Sequence, residues 1–202
     1  LLRLMQVETR QVAVWFDRQG KRIGEAGATV GYSGIDLSPD GGRLALINPG
    51  GFWVRDLERG TATRLAQQVR ASGSAIWSPD GMSVVFTAQD KTRVQRLYRA
   101  DASNTRPESL LLEGPGLRWP NDWSRDGKYL LYGFDEGKTY RDLWVLRMDE
   151  PGAKPSQYTH GASLIKQGQF SPDARFVAYT SDESGRYEVY VQPFPDASKG
   201  KW

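Results

Sequence analysis

Leu37-Ser38-Pro39-Asp40-Gly41 is the stretch that decides the fold, because the chain repeats it three times. The copies are Trp77-Ser78-Pro79-Asp80-Gly81, Trp123-Ser124-Arg125-Asp126-Gly127 and Phe170-Ser171-Pro172-Asp173-Ala174. From Ser38 to Ser78, Ser124 and Ser171 the successive intervals are 40, 46 and 47 residues. A period of that length marks an array of one supersecondary unit, most often a propeller blade.

The residues of the repeat are turn residues. Serine opens the turn, proline presets φ at the next position, aspartate tolerates the bridge region, and glycine follows without a Cβ clash. A large apolar residue precedes each copy and an apolar run follows it: Leu44–Ile47, Val84–Phe86, Tyr129–Tyr132 and Phe176–Tyr179. Strand, tight turn, strand is a β-hairpin. The four aspartates therefore read as turn residues, whose short carboxylates bond nearby N–H groups, and not as catalytic acids.

Working outward, each repeat shows four strand-like pieces. The first is short and ends at the turn: Gly34–Leu37, Ala75–Trp77, Asn121–Trp123 and Gly168–Phe170. The second is the apolar run, and a strand apolar on both faces is one covered on both faces. The third alternates and is aromatic-rich: Phe52–Leu57, Leu97–Asp101, Leu143–Met148 and Val189–Phe194. The fourth is polar and edge-like: Ala62–Leu65, Ser109–Leu112 and Ser156–Thr159, with no fourth piece in the last repeat. Ahead of the array, Gln11–Phe16 and Lys21–Gly24 read as two more strands, and Leu1–Arg10 as a lead-in.

The fold expected is all-β, a β-propeller of four-stranded antiparallel blades. One domain spans residues 1–202: outer strands of a preceding blade at 11–27, blades at 32–66, 74–113 and 119–160, and an incomplete blade at 167–202. Four to five blades are present on this reading. An array cut in this way exposes apolar sheet faces. Either more chain completes the ring or copies of this chain pair through the cut faces. The chain begins at Leu1 without methionine and has no signal-peptide pattern, so it reads as a piece of something longer.

Composition narrows the chemistry. There are 22 glycines, 11 prolines, seven tryptophans and nine tyrosines, a profile of short strands and tight turns. No apolar run approaches the roughly 18 residues of a membrane span. The net charge is +3, from 27 basic and 24 acidic residues. The one basic segment, Lys91, Arg93, Arg96 and Arg99, crosses a loop and a strand, so its charges fan out and no nucleic-acid partner is expected. With no cysteine, disulfides, thiolate metal sites and cysteine nucleophiles are excluded.

His160 is the sole histidine, so a Ser–His–Asp site would have to use it. No Gly-x-Ser-x-Gly elbow is present, and Gly31-Tyr32-Ser33-Gly34 has the wrong spacing. Asp135-Glu136 and Asp182-Glu183 lack calcium-loop spacing and read as solvated. Asp36 and Asp122 occupy matching first-strand positions in repeats one and three, where repeats two and four carry Ile76 and Gln169. Paired carboxylates near a channel are a glycosidase signature, but the alternation leaves no comparable pair in the other repeats. No catalytic residue, cofactor or metal is assigned.

Topology places the partner surface. In an antiparallel meander the loops before each first strand and those between second and third strands share one face, around the channel mouth. These loops vary most between repeats, where binding function concentrates. They carry Tyr32, Arg118, Trp119, Asn121, Asp135, Tyr140, Lys166, Glu183 and Tyr187. Aromatics with Arg and Asn suit a protein, peptide or envelope ligand.

The turn resembles the "PD" repeats of TolB-type propellers. Val14–Gly24, Asn121–Tyr132, Asp142–Met148 and above all Phe170–Pro195 resemble a narrower group, the propeller in the C-terminal half of many bacterial, especially acidobacterial, serine/threonine protein kinases. Arg125 in place of the motif proline and Ala174 in place of the glycine depart from the pattern. The resemblance implies a fragment of a six-bladed ring and a non-catalytic interaction or sensor module, outside the cytoplasmic membrane with the kinase inside. The alternatives are the gating propeller of a prolyl-oligopeptidase-type peptidase and a periplasmic TolB-type envelope scaffold.

Overall fold

The computed structural model describes residues 2–7, 10–26, 33–91, 94–137, 141–161 and 163–202. Its strands form five antiparallel meanders in chain order. The first contains β1 (Leu2–Val7), β2 (Arg10–Phe16) and β3 (Arg22–Glu25). The second contains β4 (Gly34–Leu37), β5 (Arg43–Asn48), β6 (Gly51–Asp56) and β7 (Ala62–Leu65). The third contains β8 (Arg70–Trp77), β9 (Ser83–Gln89), β10 (Gln95–Asp101) and β11 (Ser109–Leu112). The fourth contains β12 (Leu117–Trp123), β13 (Tyr129–Asp135), β14 (Asp142–Arg147) and β15 (Ser156–Gln157). The fifth contains β16 (Lys166–Phe170), β17 (Phe176–Ser181) and β18 (Glu188–Pro193).

One expectation is corrected at the N-terminus. Leu2–Val7 is a strand paired along its length with Arg10–Trp15, so the first sheet has three strands where two were expected. The residues lacked a turn signature to announce it.

The four repeated turns share one hydrogen-bond scheme, with the serine hydroxyl at its hub. Ser38, Ser78, Ser124 and Ser171 each donate to the aspartate two residues on, at 2.5, 2.5, 2.7 and 2.7 Å. Each also accepts the N–H five residues on, from Arg43, Ser83, Tyr129 and Phe176, at 2.8–3.0 Å. The aspartate in turn accepts the N–H of Gly42, Met82, Lys128 or Arg175. The turn thus satisfies its own donors before the next strand begins. Its fourth position is left-handed in every copy, with φ of 72° at Gly41, 68° at Gly81, 79° at Gly127 and 53° at Ala174. Only the last puts a Cβ there, which a non-glycine residue tolerates at a cost.

The apolar second strands explain how the sheets stack. Leu44 and Leu46 of β5 face back to Ala13 of the first sheet, while Ala45 and Ile47 face Phe86 and Ala88 of the third. Leu130 and Tyr132 of β13 likewise face back to Val85 and Leu97, and Leu131 faces forward to Val177 and Tyr179. Each core is therefore a layer between two sheets, and residues i and i+1 serve different layers. Phe52 and Phe86, both fully buried, meet across one such layer with ring centroids 4.8 Å apart. In β17 the pattern changes: Val177, Tyr179 and Ser181 are buried, but the residues between them are only half-buried.

Three first strands are longer than expected because each contains a register shift. The shifts fall between Ala71 and Ala75 in β8, Pro120 and Asp122 in β12, and Lys166 and Gln169 in β16. A bulge breaks the two-residue alternation, so sequence pattern reveals only the half of the strand beyond it.

Candidate functional site

The first strands β4, β8, β12 and β16 converge on a cavity of about 480 Å³. Its walls include Asp36, Ser74, Trp119, Asn121, Lys166 and Gln169, with Arg141 reaching in from the loop before β14. This is the channel mouth, and the bulges lie on it.

Trp119 is held by its sequence context. It stands directly opposite Gly133 on the neighbouring strand, and its indole lies flat where a Cβ would be, 2.2 Å from the position one would occupy. Glycine at 133 is what lets the ring lie down. Arg141 stacks on the indole, its guanidinium carbon 5.4 Å from the ring centroid, and its Nε donates to Asp135 at 3.1 Å. Asp135 is buried and also accepts the Gly137 N–H at 2.7 Å. Asp135, Arg141 and Trp119 form one stacked unit.

A second unit adjoins it. The Lys166 ammonium sits 4.3 Å over the ring of Tyr187. The backbone brings the two units together: Arg141 pairs with Leu164 in a parallel bridge, and its carbonyl accepts the Ile165 N–H at 3.2 Å. Asp182 accepts the Leu164 N–H at 2.8 Å and fixes the same segment.

Asp36 and Asp122 have a structural task. Asp36 accepts the Trp77 N–H of the next sheet at 2.8 Å, and Asp122 accepts the Phe170 N–H of the next sheet at 2.7 Å. Each carboxylate thereby clips one first strand to its neighbour. Burial pushes Asp36 up to about 6, against the pull of its N–H partners, and burial also raises Asp122. Their matching positions two residues before Ser38 and Ser124 were a legible signal for this pairing.

The remaining expected residues lie elsewhere. Arg118 is buried, donating to the carbonyls of Gly114 and Gly116 and stacking 4.7 Å from the Phe134 ring centre. Glu183 accepts from Lys201 at 2.7 Å on the β17–β18 loop. Tyr32 and Tyr140 fall outside the described residues, as does Arg93 of the basic segment. Of that segment, Arg96 pairs with Asp90, and Arg99 bonds Ser83 and stacks on Trp123. Arg141 was missed by sequence reading, although it sits in a loop already assigned to this face.

His160 is exposed and makes no hydrogen bond among the described residues. Asp142 accepts hydrogen bonds from Gln157 at 3.0 Å and Thr159 at 3.4 Å. No group of three or more metal-ligating side chains occurs among the described residues.

Stacked antiparallel meanders, three of them four-stranded, with a Ser-x-Asp turn in the first hairpin of the last four and their first strands lining one cavity, define a TolB-type β-propeller fold. TolB from Acinetobacter baumannii superposes with a TM-score of 0.77 at 21% identity, covering 94% of this chain and 47% of that one. The putative TolB from Agrobacterium tumefaciens gives 0.74 at 17% identity, covering 90% and 63%. A prolyl endopeptidase gives 0.64 at 16% identity, covering 98% and 35%. The chain thus spans less than two thirds of each of these structures. No protein-family model and no curated protein matches the sequence.

Proposed function

We propose that this chain is a propeller module that recognises a protein or peptide at its channel face and performs no chemistry itself. On this reading it belongs to a bacterial receptor-type serine/threonine kinase and lies outside the cytoplasmic membrane. The observation that carries the binding role is the cavity of about 480 Å³ where four first strands meet, within the range of ligand-sized sites. Its wall combines apolar Ile35, Ala75 and Ile76 with the convergent donors of Arg141, Lys166 and Asn121. The kinase context rests on the sequence resemblance of Phe170–Pro195 and the three shorter stretches. Among the described residues no helix is long and apolar enough to cross a membrane.

The test is peptide selection against the chain, followed by titration of the selected peptides into wild type and Gln169→Trp. Gln169 is exposed on the channel wall, so an indole there narrows the mouth without entering a core layer. A loss of affinity of about tenfold or more supports the reading. Peptides that bind both proteins equally refute it.

The likeness to a prolyl endopeptidase favours a second reading, a propeller that screens substrates for a neighbouring peptidase domain. Sequencing the flanks of the gene separates them: a kinase and a membrane span upstream, or a hydrolase domain bearing Gly-x-Ser-x-Gly.

A further inference from the structure

The channel mouth holds two cations with unspent donors. Arg141 spends its Nε on Asp135, while neither terminal nitrogen has a hydrogen-bond partner among the described residues. Lys166 makes no ion pair or side-chain hydrogen bond among the described residues, its ammonium resting only on the Tyr187 ring. Both line the same cavity, and the Arg141–Leu164 bridge sets them on adjoining backbone. The carboxylate among the described lining residues, Asp36, does not answer them, since its two oxygens accept the N–H groups of Leu37 and Trp77. Several other cations of the chain are paired locally, as in Arg147 with Asp149 and Arg186 with Glu188.

From this we infer that Arg141 and Lys166 form a subsite for a carboxylate, and that its natural occupant is the C-terminal carboxylate of a peptide entering the channel. The inference rests on the channel-face reading above and specifies its ligand. Arg141 presents a planar fork suited to two carboxylate oxygens, and Lys166 adds a point charge. The side-chain amides of Asn121, Gln167 and Gln169 border the same space and complement peptide N–H and C=O groups. An acidic sugar fits less well. Sugar rings seek a free aromatic face, and here Trp119 is covered by the Gly133 backbone on one side and Arg141 on the other. The face of Tyr187 that Lys166 covers is taken in the same way.

The subsite is tested by calorimetric titration of the whole chain with acetyl-trialanine as free acid and as C-terminal amide, and with galacturonate. The free acid should bind about tenfold or more tightly than the amide, the increment of a charge-assisted hydrogen bond. Lys166→Gln and Arg141→Gln should each erase most of that preference, and Lys166→Arg should keep it. Thermal melts confirm folding; should Arg141→Gln fail to fold, the Lys166 pair decides, because that side chain supports no core contact. Equal binding of acid and amide overturns the inference, as does a preference that survives Lys166→Gln. Tighter binding of galacturonate than of the peptide acid overturns the peptide assignment. If selected peptides bind the channel while a free carboxylate confers no advantage, the subsite fails and the channel-face reading stands.

Discussion

Replacing Ser78 by alanine removes one hydroxyl and disturbs an entire turn. Ser78 is 1% exposed, and its Oγ donates to Asp80 at 2.5 Å while accepting the Ser83 N–H at 2.9 Å. In alanine's place the Ser83 N–H keeps its ladder-side surroundings, at 4% residue exposure, with no side-chain acceptor. An orphaned buried donor costs about 1–3 kcal/mol. The change also frees the Asp80 carboxyl, which the Ser78 hydroxyl bond, ahead of the Met82 N–H, holds below the usual carboxylate range. A depressed folded-state pKa contributes stability above the unfolded value near 3.9 and loses it as pH falls through the lower folded value. The deficit of Ser78→Ala should therefore be largest near neutral pH and shrink below about pH 4. Urea unfolding of Ser78→Ala and Ser171→Ala at several pH values measures both effects. Ser171 sits in the half-buried turn before the last hairpin, so its alanine variant should lose less. A Ser78→Ala protein as stable as the parent, or no more damaged than Ser171→Ala, would refute the role given to the hydroxyl.

Three further outcomes follow from single positions. Ala174→Gly should stabilise by about 1 kcal/mol, because φ of 53° strains alanine and not glycine; no rise in the urea midpoint would contradict it. Gly133→Ala should destabilise by about 1–3 kcal/mol and shift tryptophan fluorescence, because the added Cβ would lie 2.2 Å from the Trp119 indole; an unchanged spectrum and melt would speak against that stack. Asp36→Asn should flatten the stability profile between about pH 4 and 6. With a folded-state value of about 6 against 3.8, the parent binds the proton more tightly when folded and loses up to about 3 kcal/mol as pH rises through that window. Identical pH profiles for parent and variant would show that Asp36 is not the group responsible.

Much of the fold could be read from the sequence because its signals are local. The Ser-x-Asp turn completes its own hydrogen bonds, so four copies announce four hairpins without tertiary help. The unbroken apolar runs announced double coverage, and Leu44 and Ala45 do serve opposite layers. What stayed hidden depends on neighbours. The upstream halves of β8, β12 and β16 lie beyond bulges, where alternation is interrupted. β1 pairs with β2 without a Gly or Pro turn between them to mark a hairpin. At the channel, Trp119, Asn121 and Lys166, which line the cavity from β12 and β16, were named because position in the repeat alone places them at that end. Arg141 was not, since its importance comes from stacking on Trp119 and pairing with Asp135, contacts that cross from one strand to another. Arg118 reads from sequence like its neighbour Trp119, yet adjacent residues of a strand point to opposite faces, and it is spent on loop carbonyls.

On the proposed function, a ligand binds where the first strands converge and not at the end formed by the Ser-x-Asp turns. Hydrogen exchange with and without a selected peptide tests it most directly. New protection is expected at Trp119–Asn121, Arg141 and Lys166–Gln169, with the turns at Ser38, Ser78, Ser124 and Ser171 unchanged. Protection confined to those four turns would place the binding face at the opposite end and contradict it.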